Sequence, residues 1–225
     1  MDHTLKAVDT DLGGMTHGIA AMGDLAVSQV RASLDAFLGH DLDLAAKVVR
    51  GDDALDIQDH EIEKAAVRFI ALRQPMADDL RRPIAAMKIS MQLERCGDLG
   101  KNIAKRVIRM DAATDVEVAG PIAELGRLSA DRLAAVVNAF RNGDAPAAYA
   151  VWLKDTEIDE RHEQVLAGIV ASLDERKSAS QTAGDWAHLL FIAKNLERIG
   201  DHATNIAELV HYQITGRELE GRPKL

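Results

Sequence analysis

Eight carboxylates recur in this chain as four pairs, each pair spaced four residues apart: Asp52 and Asp56, Glu94 and Asp98, Asp155 and Asp159, Glu197 and Asp201. On a helix, residues four apart lie on one face, so each pair presents oxygen donors side by side. Brought together, such acids repel one another strongly at a few ångströms, and a bound cation relieves the repulsion. An all-oxygen donor set favours hard or borderline divalent or trivalent ions (Mg, Mn, Fe or Ca) over zinc, which prefers cysteine and histidine. Asn102 and Asn205 continue two of the rows by one more turn and are candidates either for ligation or for packing beside the ligands. One such pair alone is ordinarily a solvated helix face; repetition in register sets these four apart.

The repetition is an internal duplication. Leu93, Glu94, Arg95, Gly97, Asp98, Asn102, Ile103 and Ala104 reappear as Leu196, Glu197, Arg198, Gly200, Asp201, Asn205, Ile206 and Ala207, an offset of 103 residues. The same offset carries Asp52 and Asp56 onto Asp155 and Asp159, Ala36 and Phe37 onto Ala139 and Phe140, Asp41 onto Asp144, and Gly23 onto Gly126. Gly97 and Gly200 each sit between the Glu and the Asp of a row. A mid-helix glycine costs about 1 kcal/mol against alanine, so its presence in both copies implies close approach of a neighbouring helix. Arg95 and Arg198 are the expected partners of nearby acids.

The elements that must carry these rows are helices. From Ile19 to about Leu38, apolar residues fall three or four apart; Met1 to Thr16 is ambiguous, with Gly13 and Gly14 as candidate breaks. Gly39, His40 and Asp41 end this helix and cap the next. A second helix spans about Leu42 to Arg73, stopped by Gln74 and Pro75. A third runs from Asp78 and Asp79, acids in its first turn, to about Met110. Asp111 to Pro121 joins the copies. The second copy repeats the plan: a helix to Phe140, a turn at Asn142, Gly143 and Asp144, a helix to about Leu173, a polar connector from Asp174 to Gly184, and a last helix to Thr215 with Gly216 as its stop. The expected fold is all-α: two tandem three-helix bundles, six long helices in all, with bundle one in residues 1–112, bundle two in 116–216 and a polar tail in 217–225. In each bundle the second and third helices form a hairpin. Asp52 and Asp56 lie about 20 residues before the Pro75 turn and Glu94 and Asp98 about 20 after it, at the same height.

The whole-chain totals agree. Of 225 residues, 47% are hydrophobic but only 4% aromatic, with 5 prolines, a composition suited to helices. A formal net charge of −9 argues against a general nucleic-acid binder. The single cysteine, Cys96, matches Ile199 in the repeat and marks a packing position in a reducing compartment. No secretory leader and no long uncharged apolar run is read, so a cytoplasmic protein is expected. Nucleotide-binding and nucleophile-elbow motifs are absent. Lys101, Lys105, Arg106 and Arg109 read as a solvated basic face, Trp152 and Trp186 as core anchors, His202 as incidental to the rows, and His60 and His162 as minor ligand candidates beside the helix-two rows.

With these residues in hand the chain resembles the PhoU family. The resemblance rests on the two copies of Leu-Glu-Arg-x-Gly-Asp, on Arg73 to Arg81 between helices two and three, and on Val49 to Asp52 leading into the acidic row. It covers about residues 5–216. It implies a cytoplasmic, non-enzymatic homodimer of paired bundles. Such a protein acts as a negative regulator of phosphate uptake and phosphate-starvation signalling, linking the phosphate ABC transporter ATPase to a sensor histidine kinase, with no nucleic-acid partner. Some family members bind metal clusters through acidic motifs that fall here on the eight carboxylates named above. Cys96 departs from the aliphatic residue usual there.

A rival class is a ferritin-like di-iron oxidase, which needs a Glu-x-x-His on each of two helices. Glu208 and His211 supply one; their first-copy counterparts are Lys105 and Ile108, so the second is missing. A plain bundle without metal is the third.

Overall fold

The structure, a computed structural model, describes residues 2–111, 113–174 and 181–221. Residue 112 at the joint, residues 175–180 of the expected connector and residues 222–225 of the expected tail lie outside the described residues. The helices are α1 (Asp2–Gly39), α2 (Leu42–Gly51), α3 (Asp53–Arg73), α4 (Asp78–Val107), α5 (Val116–Asn142), α6 (Ala145–Trp152), α7 (Asp155–Asp174) and α8 (Ala183–Thr215). The six-helix plan holds, with the middle helix of each bundle broken once.

Those two breaks fall within two residues of equivalent positions and differ from the uninterrupted helices expected. The Leu55 amide bonds back three residues to the Asp52 carbonyl at 2.8 Å, and the Lys154 amide bonds to the Val151 carbonyl at 3.2 Å. A tightened turn of this kind leaves main-chain carbonyls able to accept a second hydrogen bond. In bundle two the buried Arg132 collects them, donating to Lys154 O at 2.6 Å and Val151 O at 3.4 Å. Its register-equivalent on α1, Gln29, donates to Asp52 Oδ1 at 2.9 Å and Gly97 O at 3.5 Å. The breaks place Asp52 and Asp155 at the starts of α3 and α7, both buried.

The turns before α2 and α6 show the duplication atom by atom. Asp41 accepts from the Leu44 amide and Asp144 from the Ala147 amide, each at 2.9 Å. The left-handed residue before each cap is His40 (φ 47°) in one copy and Gly143 (φ 62°) in the other. His40, and not Gly39 as expected, therefore absorbs the chain reversal. Helix α1 also runs unbroken through Gly13 and Gly14. Leu12, Met15 and Ile19 are buried along one side, and this burial outweighs the poor propensity of the two glycines.

Within bundle one, α1 and α3 pack on α4; within bundle two, α5, α6 and α7 pack on α8. The bundles meet where α1 lies on α5 and α4 lies on α8. The α1–α5 crossing is reciprocal: a Cβ on Gly23 would stand 2.7 Å from Val137 Cγ1, and one on Gly126 would stand 2.7 Å from Leu34 Cδ1. Gly23 and Gly126 are repeat-equivalent, as are Leu34 and Val137, so the halves face each other about a pseudo-twofold axis. One continuous buried cluster runs through both bundles. Among the described residues no helix is long and apolar enough to cross a membrane.

Candidate metal centre

The two hairpins, α3 with α4 and α7 with α8, carry the acidic rows, and the two glycines let the helices close on each other. A Cβ on Gly97 would stand 2.1 Å from Leu55 Cδ1, and one on Gly200 would stand 2.4 Å from Ile158 Cδ1. Leu55 and Ile158 are equivalent in the repeat, and each fills the notch beside its glycine. The Glu-x-Gly-Asp order thus brings the third helix of each bundle against the start of the acid-bearing segment.

In bundle two the carboxylates of Asp159, Glu197 and Asp201 converge, with one ligand atom of each within 4.8 Å of the others. Glu197 is 8% exposed. Its Oε1 accepts from Lys194 Nζ at 2.7 Å, while its Oε2 is buried with no hydrogen-bond partner. A buried carboxylate oxygen left unsatisfied is costly, and a cation among three carboxylates satisfies it. Asp155 lies buried at the start of α7. The donor set therefore fits a hard or borderline ion.

His162 stands at the edge of this cluster. It is 9% exposed and its Nε2 is buried without a partner. Burial lowers its pKa, while the charges of Glu197 and Asp159 act to raise it. His162, a minor ligand candidate on sequence grounds, occupies the repeat position of Asp59.

Bundle one is arranged differently. Lys101 Nζ contacts Asp52 Oδ2 and lies 3.0 Å from Asp98 Oδ1. Asp52 is 1% exposed, and its other oxygen is taken by Gln29. Burial raises the pKa of Asp56, assisted by the charge of Asp52, and burial also raises that of Glu94, assisted by Asp98. Asp59 accepts from Ser90 Oγ at 2.6 Å. Lys101 bridges Asp52 and Asp98, but among the described residues the four acids of bundle one do not bring three ligand atoms within 4.8 Å of one another as those of bundle two do. Lys101 is thus no part of a solvated face. Arg106 also leaves that face, its guanidinium 4.1 Å from the Phe191 ring centroid. Lys101 and Lys194 pair with acids of the rows, and the charge of Arg95 opposes the burial that raises the Glu94 pKa.

Asn102 is exposed. Asn205 turns toward the α4–α8 contact, its amide 3.5 Å from Gln92 Oε1, the atom that His202 Nδ1 meets at 2.7 Å. Burial, then Arg198 and Arg95, lower the pKa of His202 to about 4, so near neutrality it is an uncharged bridge between bundles. Cys96 is fully buried, and burial raises its thiol pKa. Glu208 accepts from Trp152 Nε1 at 2.9 Å, and His211 Nδ1 lies 3.2 Å from the Arg217 carbonyl. The half-motif of the oxidase reading is engaged in packing and chain-end contacts.

Comparison with known proteins agrees with this duplicated plan. The family model described as the PhoU domain matches twice, over residues 19–107 and 122–210, spans separated by the same 103 residues as the internal repeat. The phosphate-specific transport system accessory protein PhoU homolog of Caulobacter vibrioides (strain NA1000 / CB15N) is 44% identical over 226 residues, covering 100% of this chain and 97% of the relative. The homolog of Zymomonas mobilis is 39% identical, covering 99% and 92%. The crystal structure of PhoU from Pseudomonas aeruginosa superposes with a TM-score of 0.86 at 30% identity, covering 93% of this chain and 99% of that one. The phosphate transport system regulatory protein PhoU from Streptococcus pneumoniae does so with a TM-score of 0.85 at 27% identity, covering 95% and 99%. Matched over its length and in both halves, the chain belongs to the PhoU family.

Proposed function

We propose that this chain is a non-enzymatic regulator of phosphate uptake. In this reading it links a phosphate ABC transporter, through the transporter's ATPase, to a sensor histidine kinase, and it restrains the phosphate-starvation response when phosphate is plentiful. It acts in the cytoplasm as a homodimer and reaches the membrane through these partners. The observation that carries the reading is likeness along the whole chain to relatives named as accessory proteins of the phosphate-specific transport system. Deleting the gene should switch on phosphate-uptake genes in phosphate-rich medium; unchanged expression overturns the reading.

Within it, the acidic motif is a cation site. Asp159, Glu197 and Asp201 would hold a Mg, Mn, Fe or Ca ion, with Asp155 beside them. When bound, the ion neutralises the cluster and ties α7 to α8. The unpartnered Glu197 oxygen supports this assignment. Mn²⁺ at a hundredfold excess over its dissociation constant should stabilise chelator-stripped protein by about 2.7 kcal/mol, a rise of about 5–10 °C in Tm for a chain of this size. No shift with Mn²⁺, Mg²⁺, Fe²⁺ or Ca²⁺ overturns the cation assignment.

A further inference from the structure

We propose that the two acidic motifs are closed by different cations: in bundle one the Lys101 ammonium takes the place that a metal ion takes in bundle two. This rests on the cation reading above but changes its stoichiometry and assigns Lys101 a role of its own.

The repeat makes the comparison direct. The position of Lys101 on α4 is that of Thr204 on α8, a fully buried residue whose hydroxyl has no partner. Four carboxylates are common to both sites, so the difference lies in what surrounds them. In bundle one, Gln29 and Lys101 together take both oxygens of the buried Asp52, Lys101 also takes Asp98 Oδ1, and Ser90 takes Asp59. In bundle two, a threonine cannot reach across as a lysine does, Ala193 replaces Ser90, and His162 replaces Asp59. Arg132, the counterpart of Gln29, is occupied by carbonyls and by Glu157 Oε2 at 2.7 Å. Lys194, more than half exposed, takes only the Oε1 of Glu197, so that Glu197 keeps an unpartnered carboxylate oxygen and His162 an unpartnered imidazole nitrogen, both buried.

A metal ion entering bundle one would meet a fixed positive charge where its ligands are. Two like charges a few ångströms apart repel by several kcal/mol even at an effective dielectric near ~20. It would also have to displace a buried, charge-assisted hydrogen bond. An ammonium carries one charge and three donors and needs no coordination geometry, so it closes the motif whatever the metal supply. The family motif is therefore duplicated in sequence and single in metal chemistry.

The test is the Mn²⁺ content of the full chain, stripped with chelator, reloaded with Mn²⁺ and desalted. Wild type should retain the complement of one bundle. The pair Glu197→Gln and Asp201→Asn should lose nearly all of it, and the pair Glu94→Gln and Asp98→Asn should lose none. Lys101→Thr, which copies bundle two, should roughly double the content; circular dichroism checks that it is folded. Equal losses from the two carboxylate pairs overturn the proposal while leaving the cation reading intact, as does a folded Lys101→Thr that gains nothing. Wild type that retains no Mn²⁺ overturns both. The carboxylate pairs decide the matter even if Lys101→Thr does not fold.

Discussion

At the scale of single residues, the duplicated chain offers matched pairs in which the same position is solved twice. Thr204 holds a hydroxyl at full burial without a partner, where the first copy carries Lys101. An unsatisfied buried hydroxyl costs about 1–3 kcal/mol, and valine has nearly its shape. Thr204→Val should therefore stabilise the metal-free protein by about 1 kcal/mol, read as a Tm increase of about 2–4 °C; a decrease would mean that the hydroxyl finds a partner in solution. The glycines form a second pair. Alanine at either position gains about 1 kcal/mol of helix propensity but drives a Cβ into a packed neighbour, at about 1–3 kcal/mol. At Gly200 the obstacle is both Cδ1 and Cγ2 of β-branched Ile158, at 2.4 and 2.9 Å; at Gly97 it is mainly the Cδ1 tip of Leu55. Leucine moves its tip by one rotation, whereas the Cγ2 of isoleucine is fixed by χ1. Gly200→Ala should thus lower Tm more than Gly97→Ala, and the reverse order in thermal melts would refute this account. The close approach at both glycines was legible from the sequence, because a helix-breaking residue kept twice in a helix needs a packing reason. The inward turn of Lys101 was not. Its spacing from Asp98 is that of any exposed helical ion pair, and only the burial of Asp52 across the hairpin shows that its charge is needed inside.

At the scale of elements, boundaries were readable where a residue type has one physical use. Asp41 and Asp144 cap helices, Gln74 (φ 47°) ends α3 ahead of Pro75, and Gly216 (φ 71°) ends α8 with its amide 2.8 Å from the Tyr212 carbonyl. The breaks between α2 and α3 and between α6 and α7 were hidden. The apolar period continues through them, and the side chains that mark them come from other helices, Arg132 on the carbonyls of the second and Gln29 on the Asp52 carboxylate at the first. The start of α8 is set by a capping box that the polar connector obscured. Thr182 Oγ1 accepts from the Asp185 amide, while Asp185 Oδ2 accepts from Thr182 N at 2.9 Å and its Oδ1 from the Asp111 amide at 3.0 Å. Asp185 is 1% exposed. Burial pushes its pKa up, but the hydrogen bonds from Thr182 and Asp111 outweigh burial and hold it below 3.8. A lowered carboxyl pKa adds stability that is present in full above the ordinary value and lost as pH falls through the folded one. Asp185→Asn, which replaces one acceptor with a donor, should cost about 1–3 kcal/mol at pH 7. The gap between wild type and variant should stay flat from about pH 5 to 8 and narrow below about pH 4. A gap undiminished at pH 3 in urea titrations would show that the charge of Asp185 contributes nothing to the cap.

At the scale of the whole molecule, the repeat predicted two bundles but not how they meet, since an amphipathic stripe marks a buried face without naming its partner. The reciprocal seating of Val137 at Gly23 and of Leu34 at Gly126 makes that meeting a close-packed one. The α4–α8 contact adds the neutral His202 bridge to Gln92. With one buried cluster spanning both halves, neither bundle keeps a complete core when the other opens, so the chain should unfold as one unit despite its two repeats. The tryptophans make this directly measurable. Both of them, Trp152 and Trp186, are buried in the second bundle, so their fluorescence reports that half, whereas far-ultraviolet circular dichroism reports every helix. In urea the two signals should trace the same transition, with one midpoint and a slope scaling with the surface exposed by the entire chain. If fluorescence and dichroism separate, the bundles are independent folding units, and the Gly23 and Gly126 seats hold together two domains that are each stable alone. Coincidence would also mean that an ion bound in bundle two stabilises bundle one through the shared core. Mn²⁺ would then shift both signals together although its proposed ligands lie on α7 and α8.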